Sequence, residues 1–384
     1  MQSARPYRTD CIRRKFHHLG VRSLHLLLGT PARIGVETAR QLSRYCVFSN
    51  RRFVVTPYQA SLWAPFSSSI CFLCVSVSHF GEKAKVSSTM FPLQGVQMLQ
   101  TLEKSLRKSL PESLKVYGTV FHMNQGNPFK LKALVDKWPD FTTVVIRPQK
   151  EEMIDDFDHY TNTYQIYSSD LKNCQEFLGS PEVINWKQHL QIQSSQPSLN
   201  EVIENVAATK SVQVKHSQCF LYMMINEVKK LVPSLLDGKK LSPSGGKPNA
   251  INQEMFKLSS LDVTHAPLVN KFWHFGGNDR SQRFIERCIR TFPTFCLLGP
   301  EGTPVSWDLM DQTGEMRMAG TMPEYRDQGL ISHIIYFQTQ ALDKLGFPLY
   351  SHTDKNNKIM QKMCYKLNYI PMPCDWNQWH CVPL

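Results

Sequence analysis

The sequence lacks a long apolar segment. It contains no run of about 18 predominantly apolar residues, the length that a transmembrane helix requires. The nearest candidate, Ser61–Phe80, is interrupted by Pro65, His79 and six serines. We therefore predict no membrane span and no membrane partner.

Cysteines and histidines at metal-binding spacing are also missing. Of the 11 cysteines, Cys71 and Cys74 form the one pair separated by two residues, and neither a second pair nor a histidine lies at zinc spacing. Isolated histidines such as His122, His159 and His216 are more often structural than ligating. We predict no metal site, and the scattered odd number of cysteines is typical of reduced thiols inside a cell.

A strong charge is absent from most of the chain, although the net charge is +12. Residues 1–89 contain 13 Lys and Arg against three acidic residues, whereas residues 90–384 contain 31 basic and 29 acidic residues. Binding to a polyanion is therefore restricted to the first 89 residues. Aromatic residues do not alternate with the arginines there, as base stacking would require, so no nucleic-acid partner is predicted.

Residues 1–89 are predicted to be a basic, poorly ordered extension. Their richness in Arg and Ser and their scarcity of acidic residues are typical of an organelle transit peptide. Such peptides are usually shorter, and an upstream extension of the reading frame explains the composition equally well. A stretch typical of a folded protein begins at Met90.

An N-terminal α/β domain is predicted over residues 90–245. Apolar residues at helical spacing predict a helix over Gly95–Ser109, which Pro111 stops. Content of β-branched and aromatic residues predicts strands at Lys115–Met123, Phe141–Arg147 and Tyr160–Tyr167. Alternation at Val212 and Val214, followed by Cys219–Met224, predicts one or two further strands. Helical patterns follow at Leu171–Leu178 and Leu199–Ala208. Pro and Gly within Leu241–Gly246 then indicate a linker.

A second α/β domain is predicted over residues 250–384. Its pattern predicts, in order, a strand, two helices, three strands, a helix, a strand, a helix and two terminal strands: Met255–Leu258, a helix ending near His274, Arg280–Arg290, Thr294–Leu298, Val305–Met310, Glu315–Thr321, Gly329–Leu345, Leu349–His352, Asn357–Leu367 and strands ending near Cys374 and Val382.

The segment Gly314–Leu330 carries the clearest chemical pattern. A strand leads into a turn that contains Arg326 and Gly329, and a long helix begins there. Backbone N–H groups at a helix N-terminus, together with the helix dipole, favour an anion such as a diphosphate. Arg326 adds a positive charge, and Gly329 allows the backbone to approach a ligand closely.

This element order resembles the GNAT superfamily of acyl-CoA-dependent N-acyltransferases. Residues 90–384 resemble, more closely, the glycine N-acyltransferases. The similarity is carried by the Glu315 segment and by Ile184–Leu190, Phe272–Asn278 and Trp376–Trp379. It implies a mixed α/β (α+β) fold with two GNAT-like mixed-sheet domains, of which the C-terminal one holds the acyl-CoA site.

The resemblance also implies an activity and its setting. An acyl group, benzoyl or similar, passes from CoA to the amine of glycine and gives an N-acylglycine. Acyl-CoA is then a co-substrate, and no permanently bound cofactor is expected. We further expect a monomer in mitochondria that takes part in detoxification by glycine conjugation.

Individual site residues follow from the same resemblance. Glycine must lose a proton before it attacks the thioester, and Glu315 matches the proposed general base of the family. A raised pKa is expected for Glu315 if the site is dry. Contacts with acyl-CoA are expected at Thr321, Met322, Arg326, Asp327, Gln328, Gly329, Leu330 and Asn357. Arg317, Arg280 and Arg283 are alternative partners for the glycine carboxylate.

Two departures from the superfamily pattern leave alternatives open. Ile331 stands where Gly or Ala is preferred, and the tyrosine that often protonates the leaving thiolate is displaced from position 364 to Tyr365. Either Tyr365 reaches the site differently or no acid is required. A relative that acylates glutamine or another amino acid, and a catalytically weak acyl-CoA-binding protein, are the alternative functions.

Overall fold

The computed structural model describes residues 90–236 and 246–384. The basic extension, the Cys71–Cys74 pair and most of the predicted linker lie outside these residues. In the part that is described, no helix has the length and hydropathy needed to cross a bilayer.

One continuous mixed sheet organises the fold. Its strands are β1 (Phe91–Leu93), β2 (Leu131–Val135), β3 (Thr143–Pro148), β4 (Thr163–Ser168), β5 (Leu190–Ser194), β6 (Val212–Met224), β7 (Lys257–Ser259), β8 (Phe295–Leu298), β9 (Pro304–Met310), β10 (Met316–Thr321), β11 (Tyr350–Asp354) and β12 (Tyr369–Pro383). Their order is β1-β2-β3-β4-β5-β12-β6-β11-β10-β9-β8-β7. The predicted mixed α/β fold is confirmed.

The strands of residues 90–236 form one half of the sheet and those of residues 246–384 the other. The last strand of each half pairs with strands of the other half. β6 closes the N-terminal half in sequence, yet it pairs with β11 and β12. β12 closes the C-terminal half, yet it pairs with β5 as well as β6. Each half therefore obtains a neighbouring strand from the other. The division into domains 90–245 and 250–384 stays a prediction.

Two parallel strand pairs interrupt an otherwise antiparallel sheet. β4 pairs with β5 along Thr163–Gln165, whereas β10 meets β11 at the single position where Met316 faces Ser351. On its other side β10 pairs with β9, with a bulge between Arg317 and Gly320. The β11-facing edge of β10 beyond Met316 thus keeps backbone groups that sheet pairing does not use.

Helices cover the sheet. In the described residues they are α1 (Val96–Arg107), α2 (Leu114–Asn124), α3 (Leu171–Leu178), α4 (Leu199–Thr209), α5 (Ile225–Leu231), α6 (Ala266–Phe272), α7 (Asp279–Thr291), α8 (Leu330–Lys344) and α9 (Lys358–Lys366). The predicted helices all occur within a few residues of their expected bounds, whereas β1, β2, β5 and α5 have no predicted counterpart and α2 replaces a predicted strand.

The predicted strand Lys115–Met123 is wrong, because this segment forms α2. Its residues from Leu114 to Val120 are all buried. A helix that is buried on all sides shows no polar face, so its β-branched and aromatic content imitates that of a strand. The misassignment matters because α2 supplies a side chain to the site.

A glycine sets the distance between α2 and the turn before β10. A Cβ atom on Gly118 would lie 2.1 Å from the carbonyl oxygen of Thr313, which no side chain tolerates without a backbone shift. Gly118 therefore permits a close approach. Lys115 lies one turn earlier on the same face of α2, so its side chain is directed at the start of β10.

The two predicted terminal strands form a single strand. β12 runs from Tyr369 to Pro383, and its register against β6 shifts between Pro371 and Asp375. The Pro371–Cys374 segment resembles a strand break in sequence, because proline cannot donate a ladder hydrogen bond. In the sheet it is accommodated as an irregularity of one long strand.

Candidate active site

A tight turn holds Glu315 at the head of β10. The Asp311 carboxylate accepts hydrogen bonds from the backbone N–H of Thr313 at 2.8 Å and from its hydroxyl at 2.6 Å. Gly314 has a left-handed backbone with φ of 78°. The N–H of Asp311 donates to the carbonyl of Glu315 at 3.1 Å and closes the turn.

Glu315 receives hydrogen bonds from three different elements. Lys115 of α2 forms an ion pair with Oε2, and the indole N–H of Trp376 on β12 donates to the same oxygen at 3.1 Å. Nδ1 of His352 on β11 lies 2.5 Å from Oε1. The Glu315 side chain has no exposed surface. Its carboxylate is thus enclosed, paired and fixed in orientation.

The pKa of Glu315 is lowered, so the expectation of a raised pKa is wrong. Burial alone raises the pKa of this carboxyl, but the charge of Lys115 and the contact with His352 lower it further than burial raises it, and Arg317 adds to that effect. Glu315 therefore carries a negative charge throughout the neutral range.

His352 is the more accessible member of the pair. Its side chain is 16% exposed against 0% for Glu315. The imidazole stacks on the Trp376 ring at a centroid distance of 4.1 Å and an interplanar angle of 13°. Burial, together with the charges of Arg317 and Lys115, lowers the pKa of His352 below its ordinary value of 6.5 against the opposing effect of Glu315. At pH 7 the ring is therefore neutral.

Arg317 lies two residues beyond Glu315 on the same face of β10. Its Nη1 donates to Asp311 at 2.9 Å, and its Nε, 3.9 Å from Glu315 Oε2, has no hydrogen-bond partner among the described residues. A cavity adjoins Arg317, lined by Tyr160, Thr163, Gln191, Gln193, Trp273, Phe275, Phe284, Gln312 and Gln378. Buried polar atoms there include unpartnered oxygens of Gln193 and Gln312. With a volume of about 10 Å³ the cavity is no larger than one water molecule, so a carboxylate ligand enters only if the lining side chains move.

Arg280 and Arg283 lie elsewhere. Arg280 forms an ion pair with Asp155 at 2.9 Å, and Arg283 lies 3.5 Å from the same carboxylate. Their side chains are 40% and 56% exposed. Of the three arginines considered for the glycine carboxylate, Arg317 is the one beside Glu315.

The predicted diphosphate loop follows β10. Thr321 ends that strand, with its hydroxyl 2.9 Å from that of Ser306, and the N–H of Met322 donates to Val305. A short 3-10 turn, Pro323–Tyr325, comes next. The guanidinium of Arg326 is exposed and donates to the Thr321 carbonyl at 3.4 Å.

The end of this loop forms an uncapped helix N-terminus. Asp327 and Gly329 have positive φ values of 63° and 73°, with Gln328 between them. Gly329 is the N-cap of α8, and no side chain caps the helix. The N–H groups of Leu330 and Ile331 are therefore available to a ligand, whereas that of Ser332 donates to the Gly329 carbonyl at 3.1 Å.

Asn357 and Tyr365 lie outside this arrangement. The Asn357 side chain caps α9 by accepting from the N–H of Met360 at 3.1 Å. Tyr365 is 57% exposed and its ring meets Tyr222 edge-on. Neither residue has a recorded contact with Glu315 or with the loop. Within residues 90–236 and 246–384, no cluster of three or more metal-ligating side chains occurs.

Comparison with known proteins identifies the family. Residues 90–293 match the family described as aralkyl acyl-CoA:amino acid N-acyltransferase, and residues 295–383 match its C-terminal region. The chain belongs to this family. The match begins at Met90, as the sequence predicts, and the predicted resemblance to glycine N-acyltransferases is confirmed.

Individual relatives are similar over their whole length. A human glycine N-acyltransferase is 74% identical over 295 residues, which are 77% of this chain and 100% of the relative. A bovine glycine N-phenylacetyltransferase is 73% identical over the same shares of the two chains. The X-ray structure of a Drosophila protein has a TM-score of 0.61 at 13% identity and covers 77% of this chain and 98% of its own. At that identity it shows the fold alone.

Three members of the site were not predicted. Lys115 lies in a segment that the sequence predicts to be a strand. His352 is the last residue of a predicted strand, with no role assigned. Trp376 lies in a segment that carries the family resemblance, but the sequence analysis assigns it no role. One signal was present: a strand–helix–strand order over β10, α8 and β11 favours parallel strands, which would bring His352 beside Glu315. No short-range pattern connects Lys115 with a residue 200 positions away.

Proposed function

We propose that this protein transfers an acyl group from acyl-CoA to the amine of glycine, forming an N-acylglycine. The observation that carries the proposal is the 74% identity to a glycine N-acyltransferase over all of that protein's length. Benzoyl and phenylacetyl groups are the proposed acyl groups, because the bovine relative is named for phenylacetyl transfer. The protein thus serves glycine conjugation and detoxification.

Acyl-CoA is proposed to lie along β10. The unpaired edge of β10 beyond Met316 offers backbone groups to the amides of the pantetheine arm, in the manner of an added strand. The N–H groups at the start of α8, with Arg326, then hold the diphosphate. This arrangement places the thioester near the head of β10, where Glu315 and His352 lie.

Glycine is proposed to bind beside Arg317, with the lining side chains of the narrow cavity moving apart to admit it. The free Nε of Arg317 can donate to its carboxylate. The amine is then directed toward Glu315 and its hydrogen-bond partners, which promote loss of the ammonium proton. All of this chemistry uses protein groups and the two substrates, so no permanently bound cofactor is invoked.

The central experiment follows free thiol release from benzoyl-CoA by the purified protein. We expect release that depends on glycine and that saturates with it. Release with glutamine in place of glycine would support the alternative acceptor. Binding of benzoyl-CoA without release with either amino acid would support the acyl-CoA-binding alternative and overturn the proposal.

Replacement of Arg326 tests the diphosphate site. Arg326→Gln is expected to raise the Kd for benzoyl-CoA about 5- to 30-fold, because a charge-assisted hydrogen bond contributes about 1–2 kcal/mol at an exposed site. The KM for glycine should be unchanged. Arg290→Gln, which alters an exposed arginine paired with Glu286 on α7, is the matched control. Equal effects of the two variants on the Kd would contradict the assignment.

The setting of the protein completes the proposal. A mitochondrial location would give it access to acyl-CoA, and the Arg-rich residues 1–89 are compatible with import. We also propose that it acts as a monomer on small-molecule substrates. Imaging of full-length protein and of a form beginning at Met90, each with a fluorescent C-terminal tag, tests the role of the extension.

A further inference from the structure

The contacts of Glu315 determine what it can do in the reaction. Its two carboxylate oxygens already accept from Lys115, Trp376 and His352, and none of its surface is exposed. Because the carboxylate is enclosed, a glycine ammonium reaches it only if the surrounding side chains move. Direct proton transfer from glycine to Glu315 is therefore opposed by the geometry.

His352 has the arrangement that a proton acceptor needs. An ionised carboxylate is a hydrogen-bond acceptor only, so Nδ1 of His352 carries the proton and donates it to Glu315 Oε1. That tautomer leaves a lone pair on Nε2. Among the described residues, none is hydrogen-bonded to Nε2, and the ring is partly exposed. Stacking on Trp376 fixes the plane of the imidazole.

From this geometry we propose that His352 Nε2 accepts the proton of glycine, and that Glu315 is a positioning residue that fixes the tautomer and stabilises the imidazolium. The inference rests on the proposed glycine acylation and assigns its proton acceptor. The position is suitable, because Ser351, the residue before His352, faces Met316 where β10 and β11 last pair. Beyond that pair β10 and β11 are no longer paired, and the thioester is proposed to lie between them there.

The proton and electron transfers balance without a further reagent. The glycine ammonium gives one proton to His352 Nε2, and the freed lone pair attacks the thioester carbonyl carbon. The new nitrogen–carbon bond gives a tetrahedral intermediate whose nitrogen releases its second proton to water. The carbon–sulfur bond then breaks, its electron pair leaves with sulfur, and the imidazolium returns its proton to give CoA thiol. No tyrosine is needed for that last step, which agrees with the exposed position of Tyr365.

Charged groups from each neighbouring element act on His352. Glu315 favours its protonated form, whereas Arg317 on β10 and Lys115 on α2 oppose it. Trp376 on β12 covers one face of the ring and carries no charge. Burial lowers the pKa of His352 below 6.5, so the neutral, accepting form predominates at pH 7. The wild-type rate should fall only when the pH drops below the lowered pKa of His352.

His352→Asn tests the assignment, because an Asn amide can still donate to Glu315 from the place of Nδ1 but offers no lone pair at Nε2. We expect kcat at pH 7 to fall about 100-fold or more, the usual contribution of a general base. The remaining rate should rise about tenfold per pH unit from pH 7 to 9, because the variant depends on glycine that is already deprotonated. The Kd for benzoyl-CoA should not change.

A matched control separates proton transfer from packing. His216 also stacks on a tryptophan, Trp379, at 4.8 Å and 6°, and its Nε2 lies 3.1 Å from the Asn377 side chain. It lies outside the proposed site, so His216→Asn should keep the wild-type rate and pH profile. His352→Gln is the second variant if His352→Asn does not fold, and it should show the same dependence on pH.

Two results would overturn the assignment. One is a His352→Asn rate close to that of the wild type at pH 7. The other is an equal fractional loss at every pH, which indicates a packing role. If the wild-type protein itself shows no glycine-dependent thiol release, the proposed function fails, and that outcome is distinct from either of these.

Discussion

Replacement of Glu315 by Gln is expected to lower glycine-dependent turnover at pH 7 by about 100-fold or more, because His352 then loses the group that orients it as the general base. The amide has one acceptor oxygen instead of two and no negative charge, so it can neither accept from all three donors nor stabilise the His352 imidazolium. Thiol release and benzoyl-CoA binding, measured on the same preparation, should show a large loss in kcat with little change in Kd. Full turnover at neutral pH would contradict the positioning role of Glu315.

The same variant is expected to be less stable. Removal of one partner from a buried ion pair typically costs about 3–5 kcal/mol, because Lys115 would keep an uncompensated charge in the core. Urea unfolding measures this loss. The double variant Lys115→Met/Glu315→Gln should regain most of the free energy of unfolding while remaining inactive. Recovery of activity together with stability would show that Glu315 has a structural role alone.

Lowering the pH should remove the contribution of the Lys115–Glu315 ion pair to the free energy of unfolding. The pKa of Glu315 in the folded protein lies below its unfolded value of 4.5, so the folded state binds fewer protons than the unfolded state near that pH. The stabilisation is complete above 4.5 and is lost as the pH falls from there toward the folded pKa. The double variant lacks this component, so its stability should depend less on pH in that window.

Residues 246–384 expressed alone are expected not to fold. β6 lies between β11 and β12 in the complete sheet, so this fragment lacks the strand that joins its own elements. It would expose the edge of β11 and leave β12 without either neighbour, and such edges favour aggregation. We expect insoluble protein, or a fragment without protected amides in hydrogen exchange.

Co-expression with residues 90–236 is the matched control. The second fragment supplies β5 and β6, so a soluble complex with thiol-release activity is expected. A C-terminal fragment that folds alone and binds benzoyl-CoA would instead show that the predicted domain 250–384 is an independent folding unit. The experiment therefore also tests the predicted domain division.

The sequence predicted elements best where one face of the element meets solvent. α7 was predicted almost residue for residue, because Phe284 and Cys288 alternate with charged residues. α2 was mistaken for a strand because its environment is apolar on every side. The length of a strand depends on the strands that pair with it, which the sequence does not show. β12 is therefore predicted as two strands, although its pairing with β6 and β5 makes it one.

The site residues that the sequence predicts are likewise those that lie in one continuous segment, whereas those brought in by tertiary packing are missed. Arg326 and Gly329 belong to a continuous strand–turn–helix pattern, so local chemistry was enough to propose them. Lys115 and Trp376 reach Glu315 through tertiary packing across 200 and 61 residues of sequence. His352 required the register of β11 against β10, which no local pattern specifies.

The buried pair of Lys115 and Glu315 has a consequence for how sequences of this family change over time. In a relative that has lost Glu315, the Lys115 ammonium group would be buried without a counter-charge. Selection for folding should then favour an uncharged residue at that position. The two positions should therefore covary. Relatives without Glu315 should carry neutral residues at both positions, and one that keeps the lysine alone should be less stable.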